Sequence, residues 1–124
     1  MASPEVDNYL RIATRDWIAA EVLIHPKVAQ ENWGFQLQQA IEKTLKAWLL
    51  LKNEQPPLTH NLTVLFQLLA DLGENVDRYL PLEIFSAYAV QFRYDDAGDL
   101  PPLDQSHWQK EVHQLMAHVK YQGG

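Results

Sequence analysis

The amino-acid sequence predicts an all-α fold, an antiparallel up-and-down bundle of about five helices forming one domain over residues 1–124, with its core at about 4–121. Three observations predict it. Apolar residues recur at three- and four-residue spacing along most of the chain, which is the period of a helix with one face inward. No run of alternating β-branched residues competes with that period. Proline, glycine and asparagine punctuate the pattern at short intervals, and short connectors favour antiparallel neighbours.

The first helix is expected from about Pro4 to Leu23. Ser3 suits the N-cap and Pro4 the first helical position. Val6, Leu10, Ala13, Trp17, Ala20 and Leu23 then line one side. "HPKVAQENWG" reads as a connector. The second helix is expected from about Trp33 to Asn53, with Pro56 and Pro57 closing it. The third covers about Leu62 to Leu72, and Gly73 is placed just after its C-cap. The fourth is expected from about Pro81 to Phe92, with Pro81 again at a helix start. "RYDDAGDLPPL" reads as a loop. The fifth begins near Ser106, where Ser106 and Gln109 fit a capping box. It turns Trp108, Val112, Leu115, Met116 and Val119 inward and frays at "YQGG".

At 124 residues the chain is long enough for a real core without staples. Hydrophobic residues make up 47% and charged residues 21%, the composition of an ordinary soluble domain. The chain has no cysteine, so disulfides and thiolate metal sites are excluded, and a cytoplasmic location is expected. No basic region followed by an apolar run marks a signal peptide, and no apolar run approaches the roughly 20 residues of a membrane span. The net charge of −6 argues against nonspecific nucleic-acid binding, which rests on a positive field.

On the second helix, Leu37, Ala40, Ile41, Thr44, Leu45, Trp48 and Leu51 share one broad side. Gln36, Gln39, Lys43, Lys46 and Leu50 fall on a separate strip. Periodicity alone reads that strip as a solvated face. It also reads Glu42 with Lys46 as an i,i+4 pair contributing a few tenths of a kcal/mol.

The order of motifs adds more. Phe35, Gln38, Gln39, Ala40, Glu42, Lys43, Lys46 and Ala47 are followed by Pro57, Thr59, His60 and Leu62. This resembles the HEPN domain, whose helix reads aromatic-x-x-Gln-Gln-Ala-x-Glu-Lys-x-x-Lys-Ala and whose following loop reads Pro-x-Thr-His-x-Leu. Arg15, Asp16 and Ala20 are similar to that family's Arg-Asp-x-x-x-Ala pattern on the first helix. Arg93 and Tyr94 resemble its Arg-Tyr-Pro-like end of the fourth helix. The resemblance covers residues from about 9 to 97.

The resemblance implies a nucleotide-associated helical module, a homodimer, and partnership with a minimal nucleotidyltransferase in a toxin–antitoxin-type pair. It implies Lys43, Lys46, His60, Arg93 and Tyr94 as nucleotide- or phosphate-binding residues, and Tyr94 as a target for a partner transferase. Asp16, Gln39 and Glu42 are expected to provide structural polar pairing, with Asp16 bridged to Lys43, Lys46 or Arg93 and Arg15 pointing elsewhere. No cofactor and no membrane partner is expected.

The family's ribonucleases carry an arginine followed, after four to six residues, by a histidine. After Arg93 those places hold Gly98, Asp99 and Leu100, and neither Arg11, Arg15 nor Arg78 has the spacing. Cleavage without a metal needs a base near neutral pKa, a task that arginine cannot perform. The first expectation is therefore a binding module with no catalytic residue. The competing one is a divergent ribonuclease using Arg93 with His60 or a dimer-related histidine. A third is a ligand-free homodimeric assembly domain with both lysines fully solvated, for whose face Trp33, Trp48 and Trp108 are candidates, although core burial is the commoner fate of tryptophan.

The remaining polar groups read as structural. His60 is expected to bond to local backbone beside a cap made by Thr59 or Asn61. "DDAGD" lacks the ligand spacing of a calcium loop. His107 and His118 stand roughly 16 Å apart along a helix, too far to share an ion.

Overall fold

The computed structural model describes residues 3–89 and 100–123, and among them the fold is all-α. Helix α1 is Pro4–Val22, α2 is Gln30–Leu51, α3 is Leu62–Asp71, and α4 is Gln105–Gly123. Between α3 and α4 runs a 3-10 helix, Asp77–Tyr88.

Local chemistry sets most of the ends. The Ser3 side chain accepts from the Val6 N–H, and Pro4 opens the helix. Asn61 caps α3 by accepting from Thr63 and Val64. Gly73, at φ +88°, ends α3 in a Schellman turn, with Gly73 N–H donating to Ala70 O and Glu74 N–H to Leu69 O. Asn53 performs the same task for α2 at φ +61°, so α2 stops at Leu51 before the prolines. At its other end α2 begins at Gln30, taking in the last part of the expected connector.

The fourth segment departs most from expectation. It starts at Asp77, four residues earlier, places Pro81 inside, and winds as a 3-10 helix. The physical reason lies in its period. The buried residues Tyr79, Leu82, Phe85 and Tyr88 recur at every third position, and only a turn of three residues puts them in one row. Positions 90–92 of the expected helix lie outside the described residues.

The Ser106–Gln109 capping box does not form. Asp104 caps α4 instead, its carboxylate accepting from the His107 N–H. Gln109 is buried and ties three helices together. Its Oε1 accepts from Trp33 Nε1 at 3.0 Å, its Nε2 donates to Trp17 O, and Trp17 Nε1 donates to Gln109 O, both at 2.8 Å. Replacing Gln109 with leucine would leave the buried Trp33 N–H without an acceptor. A loss of about 1–3 kcal/mol is expected in urea unfolding.

These contacts give the directions of the helices. The end of α1 meets the start of α2 at Gln109, so the two are antiparallel. Trp33 meets Gln109, and Trp48 packs on His118, so α2 and α4 run the same way. Gln38 bonds His60 O while Trp48 Nε1 donates to Glu74, so residues 52–61 travel back along α2 before α3 begins. Leu37, Ile41, Leu45, Leu62, Leu65, Leu69, Phe85, Val112, Leu115 and Val119 are all fully buried around α2, the central helix of the bundle. No described helix is long and apolar enough to cross a membrane.

Candidate functional site

The return of residues 52–61 carries His60 alongside the middle of α2, opposite Glu42. There the expected solvated strip turns out to be a closed network. Glu42 is 1% exposed and Gln38 is fully buried. Glu42 Oε1 accepts from His60 Nδ1 at 2.9 Å and from Gln38 Nε2 at 3.2 Å. Its Oε2 accepts from Lys46 Nζ at 3.1 Å and Lys43 Nζ at 3.4 Å. Lys43 Nζ also donates to Gln39 Oε1, and Gln39 Nε2 donates to Gln38 Oε1. Gln38 Nε2 finally bonds His60 O, so α2 holds both the ring and the backbone of His60.

This arrangement corrects three expectations. Lys43 and Lys46 have side chains only 19% and 8% exposed, so neither is the solvated cation of a polar face or of a ligand-free assembly domain. Glu42–Lys46 is a buried pair, not a surface pair of small effect. His60 bonds to a carboxylate with its ring, while capping is left to Asn61. Trp33 and Trp48 meet the commoner fate of tryptophan, buried in the core at 0% and 1% exposure.

Asp16 approaches from α1. Its carboxylate lies 3.5 Å from Arg15, which the sequence had pointing away, and no ion pair joins it to Lys43 or Lys46. Burial pushes the Asp16 carboxyl above its ordinary value, against the pull of Arg15 and Lys43. Glu42 behaves in the opposite way. Burial would raise it, but the His60, Lys43, Lys46 and Gln38 contacts together hold it below the usual range. Arg93 and Tyr94 lie outside the described residues.

The two carboxylates therefore act on stability with opposite signs. A native pKa below the unfolded value means that Glu42 contributes above the unfolded value and loses that contribution as pH falls through the native one. Asp16, raised in the native state, favours folding at low pH and loses its contribution as pH rises through its shifted range. Denaturation measured between about pH 7 and pH 3 should show an acid-side loss that shrinks in Glu42→Gln and grows in Asp16→Asn.

Sequence reading missed the roles of Gln38 and Gln109. Gln109 stands three residues before Val112 on the apolar face of α4, a polar residue at a core position, which is the one signal available for it. Among the described residues no group of three or more acidic or imidazole side chains stands close enough to hold a metal ion.

Chemically, the site is one buried carboxylate set between two lysines, with His60 its most exposed member and Lys43 partly so. The His60 side chain is 70% exposed. Since ionised Glu42 can only accept, Nδ1 carries the proton and Nε2 is left toward solvent. The HEPN domain family model matches residues 6–121. Searches of curated proteins and of solved structures returned no significant match.

Proposed function

This chain belongs to the HEPN domain family, and on that premise we propose that it is a nucleotide-associated binding module. In this reading it forms a homodimer and works beside a minimal nucleotidyltransferase in a toxin–antitoxin-type pair. The observation that supports it is the Glu42 network. The motif residues Gln38, Gln39, Glu42, Lys43, Lys46 and His60 converge on one carboxylate, and Lys43 and His60 are its members that reach the surface. An ammonium and an imidazole held by one anchor suit a phosphate group, with Lys46 and Glu42 fixing the spacing.

Titration of the protein with a nucleoside triphosphate tests the reading. Binding is expected, and Lys43→Ala and His60→Ala should each weaken it about tenfold or more. No binding, or binding untouched by both substitutions, overturns it. Co-expression with a minimal nucleotidyltransferase encoded beside this chain, followed by sizing of the complex, tests the partnership.

One observation favours a second reading. The exposed, carboxylate-anchored His60 supplies the imidazole that the missing motif would have supplied, which keeps a divergent metal-independent ribonuclease in view. Arg93-dependent cleavage of RNA by the purified protein would establish that reading in place of the first.

A further inference from the structure

We propose that His60 Nε2 is a nucleophile that accepts a phosphoryl group, with Glu42 as the residue that positions it. The proposal rests on the geometry of the network and does not require nucleotide binding.

The contrast among the five histidines carries it. His118 has Nε2 bonded to Gln122 and packs its ring against Trp48 and Tyr79. His113 lies against Trp17, and His107 against Trp108. His25 Nδ1 accepts from the Lys27 N–H, which gives its ring no anionic support. Only His60, of these, sets one nitrogen against a buried carboxylate while the ring stays open to solvent. Its main chain is pinned as well, through Gln38. An imidazole whose Nδ1–H points at a carboxylate has a fixed tautomer, with the Nε2 lone pair outward. When Nε2 attacks, positive charge develops on the ring, and Glu42 faces that charge at 2.9 Å. Lys43 donates to the other carboxylate oxygen at 3.4 Å, so an ammonium and the imidazole share one anchor.

The step balances without a metal or a redox partner. The Nε2 lone pair forms a bond to phosphorus, and the bond from phosphorus to the leaving group breaks with its electron pair. From a nucleoside triphosphate attacked at its γ-phosphorus the leaving group is the nucleoside diphosphate. From phosphoramidate, whose nitrogen already carries its third proton at neutral pH, it is ammonia. The Nδ1 proton stays donated to Glu42 throughout.

Phosphoramidate is the probe, because it phosphorylates histidine without an enzyme. The folded protein is treated at neutral pH, and each histidine is followed by mass spectrometry of peptides. His60 is expected to react about tenfold or more faster than His25, an exposed histidine whose ring has no carboxylate partner. Glu42→Gln should remove that advantage, and the pH profile of the His60 rate should move with it, whereas a purely structural Glu42 would leave the profile unchanged. Equal rates at His60 and His25 in the unaltered protein overturn the proposal, whether or not the Glu42 variant folds. The experiment contains no nucleotide, so its failure leaves the binding reading standing, and failure of nucleotide titration leaves this one standing.

Discussion

Replacing Glu42 with alanine is expected to destabilise the fold by about 3–5 kcal/mol, a large part of the roughly 5–15 kcal/mol that holds a domain of this kind together. Four donors converge on this carboxylate: His60 Nδ1, Gln38 Nε2, Lys43 Nζ and Lys46 Nζ. Without it, Lys46 keeps a positive charge at 8% exposure with no counterion, and Lys43 is reduced to its bond with Gln39. Glu42→Gln, which keeps the shape and one acceptor, should cost less than Glu42→Ala. A double change, Glu42→Leu with Lys46→Met, should recover stability relative to Glu42→Leu alone, because an apolar pair avoids the desolvation that the ions incur. Urea unfolding followed by tryptophan fluorescence measures all four. A loss below about 1 kcal/mol for Glu42→Ala would mean that both lysines reach water easily and that the network does not brace the fold.

That expectation separates what was legible in the sequence from what was not. The helical period, the Ser3 and Asn61 caps and the Gly73 terminus follow from local rules, and the structure carries each of them. The site is different in kind. Along α2, Glu42, Lys43 and Lys46 look like a polar face, because sequence shows spacing and says nothing of what covers a face. The cover comes from residues 52–61, which travel back along α2 and bring His60 and its carbonyl to Glu42 and Gln38. Only tertiary placement makes the strip an interior. The family motif did group these residues, since Gln38, Glu42, Lys43, Lys46 and His60 all belong to it, but a motif names positions without giving the bonds between them.

The 3-10 helix shows the other limit. Its triplet period is present at Tyr79, Leu82, Phe85 and Tyr88, yet Pro81 by itself reads as a helix start. Proline is tolerated inside this segment because a 3-10 turn with few consecutive bonds loses little when one N–H is missing. Its four buried rings and side chains then meet α2, and Phe85 packs edge-on against Trp33 at 5.5 Å between ring centres.

The second large effect is expected at Gly34, where Tyr88 of that 3-10 helix lies directly against α2. Gly34 is buried in the helix, and a methyl group added there would overlap the ring of Tyr88. Two contributions oppose each other in Gly34→Ala. Alanine favours a helix interior by about 1 kcal/mol over glycine. Against that stands overpacking, typically about 1–3 kcal/mol and more where the obstacle is rigid. Tyr88 is rigid here: it is 4% exposed, lies 5.6 Å from Phe85 ring to ring, and its hydroxyl accepts from Gln30 Nε2 at 2.7 Å. Gln30 also donates to Pro101 O and accepts from Leu103 N–H, so displacing Tyr88 loosens the hold on the approach to α4 as well. The steric contribution should therefore win, with a net loss of about 2 kcal/mol or more in urea unfolding. Tyr88→Leu made in the Gly34→Ala background should return part of the loss, because the flat ring that meets the methyl is gone. If Gly34→Ala proves neutral or stabilising, helix propensity outweighs packing at this crossing, and the 3-10 helix can shift away from α2 at little cost.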